Sequence, residues 1–582
     1  MDYVRLAEVY DKLSSTSKRL EKTFYVSEAL KAGKSELGMV IMLLQGQVFP
    51  AWEKGMKLGF ANNYMVKAIQ RVTGASEHEV EKLWAEKGDL GDVAYSLVTG
   101  KKQRTLFSSK LSVKKVYDNV RKLPFVEGKG SVDRKIQLVS ELLSSASPLE
   151  AKYIVRTVLE IMRVGLGTST MRDAIVWAYF GDSLGLSYNP GDKDFKVDDR
   201  EEYNKVVGIV ESAYEKVNDF SAVANLAIKG LGSLEKVEIE VGKPIKVMLA
   251  QKVSTVGEGL ERVGRPAQLE FKYDGFRLQI CKDSKGKVTL FTRRMEDVTK
   301  QFPDVVSVVS NIKGKDFVFD GEAVGFNPKT KKYTPFQNIS QRIKRKHGID
   351  EMSVSLPVEV NVFDVLYYEG KDCLKMPLKE RRAIIEKAVK AEQYKIQPSY
   401  IVVTSDEKEA QAFYDSAKDK GMEGIMIKNL ESPYKPGSRV GQWVKLKPTM
   451  ETLDLVIVGA EWGEGKRSGW LTSFILACID DNGDLLTIGK VGTGIKELEE
   501  AGGVTFAELT ERLKPLIISE KGREVEVRPE IVIEVEYNEI QKSPTYTSGY
   551  ALRFPRLKSV REDRGVEDAS NLYMVEQFYK EQ

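Results

Sequence analysis

A lysine beside a tight turn is the first group in the chain that could act as a covalent nucleophile. The run Glu270–Lys272 alternates charged and apolar residues, which predicts a strand, and Asp274-Gly275 then predicts a turn. A lysine amine attacks only when it is neutral, and at a free pKa near 10.4 about one molecule in 2,000 to 3,000 is neutral at pH 7. Nearby cations or burial lower that pKa. By itself the pattern also fits an exposed lysine that flanks a hairpin.

Chemistry at a phosphate would also require further cations, carboxylates for a divalent metal ion and an aromatic face for a base. Such groups follow Lys272 in or at the ends of predicted strands: Arg293, Glu322, Phe363, Glu423, Lys428, Lys445 and Lys447. Lys445 and Lys447 alternate along one strand, so they face the same side of it. Taken separately, each group is better explained as a surface charge or a core aromatic.

The elements that must position these groups fall into three segments. Residues 1–230 repeat apolar residues at three- and four-residue spacing, which predicts an all-α domain. Residues 231–448 combine short alternating strands with helices and predict an α+β domain, in which a hairpin joins Leu278–Ile280 to Val288–Phe291. Residues 449–582 carry several short strands with glycine-rich turns, which predicts a small β-barrel.

Two glycine-containing breaks in the helical segment precede helices, at 88–92 and at 163–170. Small residues followed by Ser, Thr or Asp are good N-caps, and the backbone N–H groups of a helix N-terminus can hold a phosphate. The candidate phosphate contacts in the second break are Arg163, Gly165, Gly167 and Thr168. Simple punctuation between helices explains the same residues.

A basic segment between these breaks contains Gln103, Leu106 and Phe107. It resembles a shortened sliding-clamp-binding peptide, in which a glutamine, an aliphatic and an aromatic side chain fill neighbouring pockets. The full peptide usually ends in two aromatic residues, and here only Phe107 is present. The alternative is a basic loop whose Leu106 and Phe107 anchor it to its own domain.

Composition limits the class of protein. The 582 residues are 42% hydrophobic and 30% charged, and the net charge of +4 neither requires nor excludes a polyanionic partner. The three cysteines, Cys281, Cys373 and Cys478, contain no C-x-x-C pair, which excludes a four-cysteine zinc site and argues against a disulfide scaffold. We expect no signal peptide and no membrane span, and therefore a cytoplasmic location.

The order of these groups resembles the covalent nucleotidyltransferase superfamily, and specifically the ATP-dependent DNA ligases of the archaeal and eukaryotic replicative type. Six superfamily motifs and a last ligase motif follow one another: Lys272–Gly275, Thr292–Arg294, Phe319–Glu322, Val362–Asp364, Glu423–Lys428, Trp443–Lys447 and Leu552–Arg556. The glycine breaks and Leu43–Gln47 extend the resemblance over nearly the whole chain. Two positions depart from the family pattern. Arg294 stands where Asn is common, which leaves Arg293 the better candidate, and Val560–Arg564 has Arg where Lys is expected.

The resemblance implies a joining reaction in three steps. Lys272 would attack the α-phosphate of ATP and release pyrophosphate, and the AMP would then pass to the 5′-phosphate of a DNA nick. The 3′-hydroxyl would finally displace AMP and seal the strand. The resemblance implies Mg²⁺ as the metal ion, with Mn²⁺ as a substitute, and a function in DNA replication, repair and recombination.

The resemblance also implies a role for each site residue. Glu270 would accept a hydrogen bond from the adenine amino group, and Phe363 would stack on the base. The sugar and phosphates of the nucleotide would be bound by Arg277, Arg293, Glu322, Lys428, Lys445 and Lys447, and pyrophosphate by Arg553 and Arg556. The metal ion would be held by Glu322, Glu423 and Asp274.

The three segments acquire roles in the same way. Residues 1–230 would form the DNA-binding domain, 231–448 the adenylation domain and 449–582 an OB-fold, in a monomer that acts on nicked duplex DNA. Lys466 and Arg467 would contact DNA, although a solvated hairpin tip fits them equally well.

Three other functions remain open. An mRNA-capping guanylyltransferase also uses a K-x-D-G motif, but the helical segment and the Leu552–Arg556 motif argue against it. An NAD-dependent ligase would need a four-cysteine zinc module. A non-catalytic scaffold descended from a ligase is disfavoured by the intact charged motif residues.

Overall fold

The computed structural model describes residues 1–50, 53, 58–100, 110–191, 194–343, 345, 347–448, 451–498 and 503–581. The helices are α1 (Tyr3–Ser15), α2 (Arg19–Gly33), α3 (Leu37–Leu44), α4 (Asn62–Thr73), α5 (Glu77–Lys87), α6 (Leu90–Thr99), α7 (Val113–Lys122), α8 (Ser131–Ser145), α9 (Pro148–Val158), α10 (Thr168–Phe180), α11 (Arg200–Val217), α12 (Phe220–Ala227), α13 (Leu231–Glu235), α14 (Val256–Val263), α15 (Pro303–Val308), α16 (Phe336–Ile343), α17 (Ile349–Ser355), α18 (Leu378–Ala388), α19 (Glu407–Asp419), α20 (Phe506–Leu513) and α21 (Leu572–Glu581).

The strands are β1 (Ser187–Asn189), β2 (Asp194–Lys196), β3 (Leu249–Val253), β4 (Ala267–Lys272), β5 (Phe276–Lys282), β6 (Val288–Thr292), β7 (Phe317–Gly325), β8 (Val358–Tyr368), β9 (Lys371–Asp372), β10 (Ile396–Pro398), β11 (Ile401–Thr404), β12 (Gly424–Asn429), β13 (Arg439–Leu446), β14 (Leu453–Trp462), β15 (Leu471–Ile479), β16 (Leu485–Val491), β17 (Ile517–Lys521), β18 (Glu524–Val527), β19 (Val532–Glu536), β20 (Glu539–Lys542), β21 (Tyr550–Arg553) and β22 (Arg556–Val560).

The N-terminal region is helical, as the apolar spacing predicts. Six of its described helices, α5, α6, α7, α9, α11 and α12, follow a Ser or Asp whose side chain accepts from a free N–H group of the first turn. In α9, the Ser147 hydroxyl accepts from the Glu150 N–H and the Glu150 carboxylate accepts from the Ser147 N–H, so the two residues form a capping box. In α6, the Asp89 carboxylate accepts from the Asp92 N–H at 2.9 Å.

One element departs from the all-α prediction. β1 and β2 pair antiparallel as a short hairpin between α10 and α11. The ring of Trp177 on α10 stacks on Phe195, with centroids 5.3 Å apart, and also contacts Tyr188. These aromatic contacts hold the hairpin on the helices, and they depend on residues that the helical spacing did not reveal.

The chain divides into two compact units. One contains Met1, Val9–Lys57 and Val164–Pro448, and the other contains Asp2–Glu8, Leu58–Arg163 and Thr449–Gln582. The domain boundaries expected from the sequence, 1–230, 231–448 and 449–582, stay predictions.

Two sheets form the centre of the first unit. One has the strand order β11-β4-β12-β13-β3, and the other has the order β10-β8-β7-β5-β6 with β9 paired to β8. The predicted hairpin is confirmed as β5 and β6, in which Ile280 lies opposite Leu290. Neighbours in both sheets include strands far apart in sequence, and so the sheets bring distant motifs together.

The C-terminal part of the second unit is mostly β, as predicted. β14 pairs with β15 along one edge and with β18 and then β19 along the other, and the register shifts within it. Phe506 and Leu509 of α20 belong to the apolar core that the residues of these strands form. A closed barrel is not observed among the described strands. The sheet runs in the order β16-β15-β14-β18-β17, and no pairing joins β16 at one end to β17 at the other. Within the described part of the chain, β20 and β21 pair only with each other.

Candidate active site

Lys272 stands at the end of β4, beside the start of β12. Gly424 lies opposite Lys272 in the strand register, and the Glu423 N–H donates to the Lys272 carbonyl at 2.8 Å. The Glu423 carboxylate contacts the ammonium groups of both Lys272 and Lys447. Strand pairing therefore joins the candidate nucleophile, a carboxylate and a second cation from three motifs.

Because it has no side chain, Gly424 allows the main chains of β12 and β13 to lie close together. Its φ is +140°, a backbone conformation that side chains rarely adopt, and a Cβ there would lie 2.1 Å from the Leu446 carbonyl oxygen. A larger residue would therefore separate β12 from β13 and move Glu423 away from Lys272.

Other cations surround this contact. Burial lowers the pKa of the Lys445 ammonium, and the like charges of Lys272 and Arg293 lower it further. Arg293 is exposed just after β6. The positive charges of Lys272, Lys445, Lys447 and Arg293 are thus concentrated near the end of β4, where they can attract a polyphosphate.

Glu322 on β7 experiences the same local field. It lies opposite Arg277 of β5 in the strand register. Burial raises the pKa of Glu322 to about 7, although the charges of Lys272 and Arg277 oppose that rise. The carboxyl group therefore changes its charge near neutral pH.

Asp274 follows the nucleophile and connects its turn to a helix. The Asp274 carboxylate accepts a hydrogen bond from the N–H of Phe336, the first residue of α16, at 3.1 Å. This bond orders the turn after Lys272. Within the described residues, no group of three His, Cys, Asp or Glu side chains is arranged to hold a metal ion. Metal binding by Asp274, Glu322 and Glu423 stays a prediction.

The predicted base-binding residues lie together behind the nucleophile. The buried Glu270 carboxylate accepts from the Lys428 ammonium at 2.7 Å and from the Gln268 amide at 2.5 Å. The Lys428 ammonium lies 4.8 Å from the centre of the Phe363 ring and 4.2 Å from the Trp443 ring. Lys428 thus contacts both Glu270, which is predicted to bind the adenine amino group, and Phe363, which is predicted to stack on the base.

A buried ion pair supports the strand that carries Phe363. Asp364 and Arg381 are both fully buried, and Arg381 donates to the two Asp364 carboxylate oxygens at 2.7 and 3.2 Å. Arg381 also donates to the Ser432 carbonyl at 2.9 Å and to the Met376 carbonyl. The pair therefore ties β8 to α18 and to the loop after β12.

Arg277 is engaged inside the fold. It donates to Asp320 at 2.5 Å, to the Tyr434 hydroxyl at 2.7 Å and to the Met248 carbonyl at 3.0 Å. Its guanidinium lies 5.0 Å from the centre of the Phe363 ring. This arrangement places Arg277 beside the predicted base site, and its contact with ribose or phosphate stays a prediction.

The predicted pyrophosphate contacts lie on the C-terminal strands. Arg553 donates to Glu539 at 2.9 Å, and Arg556 is exposed at the start of β22. Phe554 between them is 67% exposed and has a φ of +52°, a strained conformation for a residue with a side chain. The turn therefore holds an aromatic ring and two arginines at the surface.

The predicted DNA contacts are in different environments. Arg163 pairs with Asp89 at 3.0 Å and with Glu464 at 2.6 Å. Gly167 is the N-cap of α10, which begins at Thr168. The Gly165 carbonyl accepts from the Lys22 ammonium at 3.1 Å.

The basic turn after β14 holds the other predicted DNA contacts. Lys466 and Arg467 belong to the short 3₁₀ turn Gly465–Arg467, and Arg467 donates to Glu497 at 2.8 Å. The predicted clamp-binding residues Gln103, Leu106 and Phe107 lie outside the described residues. None of the described helices is both long and apolar enough to cross a bilayer.

Three supporting residues were not predicted from the sequence. Gln268 shares a face of β4 with Glu270, two residues away, so strand periodicity could have identified it. Tyr434 and Arg381 carry no such local signal, because only the tertiary fold brings them to Arg277 and Asp364.

Three family models match successive parts of the chain: DNA ligase N terminus at residues 2–176, ATP dependent DNA ligase domain at 247–447, and ATP dependent DNA ligase C terminal region at 467–564. The chain belongs to the ATP-dependent DNA ligases. A DNA ligase of Nanoarchaeum equitans is 46% identical over 100% of this chain and 99% of its own length. A DNA ligase of Thermococcus onnurineus is 40% identical over 100% and 98%.

A solved structure agrees on the fold. The structure described as "Pmar-Lig_PreS3" matches 96% of this chain and 99% of its own chain, with a TM-score of 0.56 at 16% identity. As a ligase of this family, the protein uses ATP to seal nicks in duplex DNA through an enzyme-bound adenylate. The open alternatives, a capping enzyme, an NAD-dependent ligase and a scaffold, are thereby set aside.

Proposed function

We propose that Lys272 is the residue that carries AMP in the ligase reaction. Its nitrogen forms a bond to the α-phosphorus of ATP while the bond from that phosphorus to the bridging oxygen breaks, and pyrophosphate leaves. The single observation that carries this proposal is the contact of Glu423 with both Lys272 and Lys447 at the end of β4. It gives Lys272, at the end of the strand, both a carboxylate partner and a neighbouring cation, Lys447.

The proton of Lys272 must leave before the attack. A carboxylate next to an ammonium favours the charged form, so Glu423 either accepts that proton or withdraws from Lys272 when the nucleotide binds. The charges of Lys445, Lys447 and Arg293 favour a neutral Lys272 amine. The same charges stabilise the negative charge of the phosphates in the transition state.

We further propose that Glu423, Glu322 and Asp274 supply oxygens to Mg²⁺, or to Mn²⁺ in its place. The donor set fits, because Mg²⁺ at phosphate sites is held by one or two carboxylates together with substrate oxygens and needs no cage of protein ligands. A bound ion would neutralise phosphate charge in this site. Release of Glu423 from its lysine partners would make its carboxylate oxygens accessible.

We assign the selection of the nucleotide to the residues of the predicted base site. Glu270 accepts from the adenine amino group, Phe363 stacks on the base, and Arg277 and Lys428 complete the pocket. Arg553 and Arg556 bind the pyrophosphate. The contact of Arg277 with Phe363 and the exposure of Arg556 support these assignments.

We assign the binding of nicked DNA to residues of the N-terminal and C-terminal regions. Arg163, Gly165, Gly167 and Thr168 bind backbone phosphates at a helix N-terminus, and Lys466 and Arg467 bind them from the C-terminal region. We propose that this region is an OB-fold with an incomplete barrel. Two features support that assignment. β14 is long and irregular and pairs with other strands along both of its edges, and α20 packs in the apolar core.

The remaining assignments concern the partners of the protein. We propose that it acts as a monomer inside the cell, where its DNA substrate lies, and that Gln103, Leu106 and Phe107 bind a sliding clamp.

Labelling of the protein tests the first step. The protein is incubated with Mg²⁺ and ATP labelled at the α-phosphate, then denatured and examined for label on the chain. We expect label on the wild-type protein, none on Lys272→Ala, and at least a 100-fold slower reaction of Glu423→Gln, whose amide can neither accept the proton nor replace a charged metal ligand. Lys285→Ala, in an exposed turn, is the matched control. Label on Lys272→Ala at the wild-type rate would refute the assignment.

A further inference from the structure

Gln268 is a buried polar residue in the first unit whose function the nucleotide site does not yet explain. Its side chain is 1% exposed, and its Nε2 donates to the Glu270 carboxylate at 2.5 Å. A carboxylate only accepts hydrogen bonds, so the amide must turn its NH₂ group towards Glu270. The opposite end of the amide, the Oε1 oxygen, is thereby fixed in direction.

That oxygen has no hydrogen-bond partner within the described part of the chain. Leaving a buried acceptor unsatisfied is costly, and such groups are rare in folded proteins. A folded protein can tolerate such a group when a ligand supplies the missing donor. The orphaned oxygen therefore points to a donor that is absent from the protein itself.

Its position relates this missing donor to the base. Gln268 and Glu270 are alternate residues of β4, so their side chains lie on the same face of the strand. Lys428 lies directly opposite Gln268 on β12, and its ammonium binds Glu270 and faces the ring of Phe363. Gln268, Glu270 and Lys428 thus form one connected polar cluster beside the aromatic ring.

We propose that Gln268 is a specificity-determining residue, whose carbonyl oxygen joins Glu270 as a second acceptor for the amino group of adenine. The inference rests on the proposed role of Glu270. An adenine amino group has two N–H donors, one for each acceptor. A purine with a keto oxygen at the same position would direct an acceptor against two acceptors, and the site would reject it.

Lys428 has a positioning role in this arrangement. Its ammonium and the Gln268 amide donate to different oxygens of the Glu270 carboxylate, which fixes the plane of that group. An ionised carboxylate can only accept. Without the Lys428 ammonium the carboxylate plane is no longer fixed, and the distinction between the two purines would weaken.

A comparison of nucleotides tests the role of Gln268. Initial rates of Lys272 labelling are measured at low concentrations of ATP and of purine riboside triphosphate, which lacks the amino group. We expect Gln268→Met to lower kcat/KM for ATP about tenfold, the order of one hydrogen bond, and to leave the purine analogue unchanged. Gln411→Met, on the exposed face of α19, is the matched control.

The results separate the possible roles. Equal losses with both nucleotides would mean that Gln268 is only structural, and no loss with either would remove it from the site; both results overturn the proposal. A wild-type protein that ATP does not label would instead refute the assignment of Lys272, and the inference with it.

Variants of Lys428 provide a second, independent test. We expect Lys428→Met to reduce the preference for ATP over inosine triphosphate at least tenfold, and Lys428→Arg, which keeps the charge, to restore much of it. Thermal melting identifies any variant that is unfolded. If Gln268→Met does not fold, the wild-type protein is tested with N6-methyl-ATP, which retains one N–H. Equal kcat/KM for N6-methyl-ATP and ATP would overturn the second acceptor.

Discussion

The buried pair of Asp364 and Arg381 allows a quantitative prediction. Both side chains are 0% exposed, and the pair makes two direct hydrogen bonds. Removing one partner of such a pair leaves an uncompensated buried charge, which costs about 3–5 kcal/mol. We therefore expect Asp364→Ala to lower the free energy of unfolding by about that amount.

The expected shift in melting temperature follows from the size of the domain. For a domain of about 200 residues, 1 kcal/mol corresponds to about 2–4 °C. We expect Asp364→Ala to melt about 6–20 °C below the wild-type protein in a thermal scan followed by circular dichroism. Glu431→Ala removes the carboxylate of an exposed pair with Lys379 and should change stability by less than about 1 kcal/mol.

A double variant tests the physical reason. Asp364→Leu combined with Arg381→Met removes both buried charges and replaces them with apolar side chains of similar size. Because no charge is then left unpaired, the double variant should be more stable than either single variant. Single variants that melt within about 2 °C of the wild-type protein, or a double variant whose loss equals the sum of the single losses, would refute the reasoning.

Three other predictions concern pH, salt and a partner. Burial raises the pKa of Glu322 to about 7 from the ordinary 4.5, so between these values the folded state holds a proton that the unfolded state has lost, and the contribution of Glu322 to stability falls as pH rises. Glu322→Gln should therefore gain melting temperature relative to the wild-type protein from about pH 4.5 to 7 and hold that gain above pH 7; a pH-independent difference would contradict this. Lys466→Ala should weaken binding to nicked duplex DNA and reduce the slope of log K against log salt by about 1, measured by fluorescence anisotropy, whereas Lys285→Ala should leave the slope unchanged. Phe107→Ala should reduce binding to a sliding clamp and leave Lys272 labelling unaffected; undiminished binding in a pull-down would remove the clamp assignment.

The sequence by itself determined the local features of the site. Alternation before Lys272 and the Asp274-Gly275 turn predicted the end of β4, and the turn after Ile280 predicted the β5–β6 hairpin. These features depend on neighbours within a few residues, which a strand period or a turn residue reports directly. The order of the motifs predicted the family, which the family models and the relatives confirm.

Tertiary structure decided which distant groups meet. Lys272 and Glu423 are 151 residues apart, and they touch because β4 pairs with β12 in a sheet whose order does not follow the chain. Strand alternation specifies the face of a residue but not its cross-strand neighbour, so the contacts of Arg381 with Asp364 and of Tyr434 with Arg277 had no signal in the sequence. The small barrel predicted from the sequence is mostly β as expected but is not closed among the described strands, since closure depends on pairing between strands that local patterns leave unspecified.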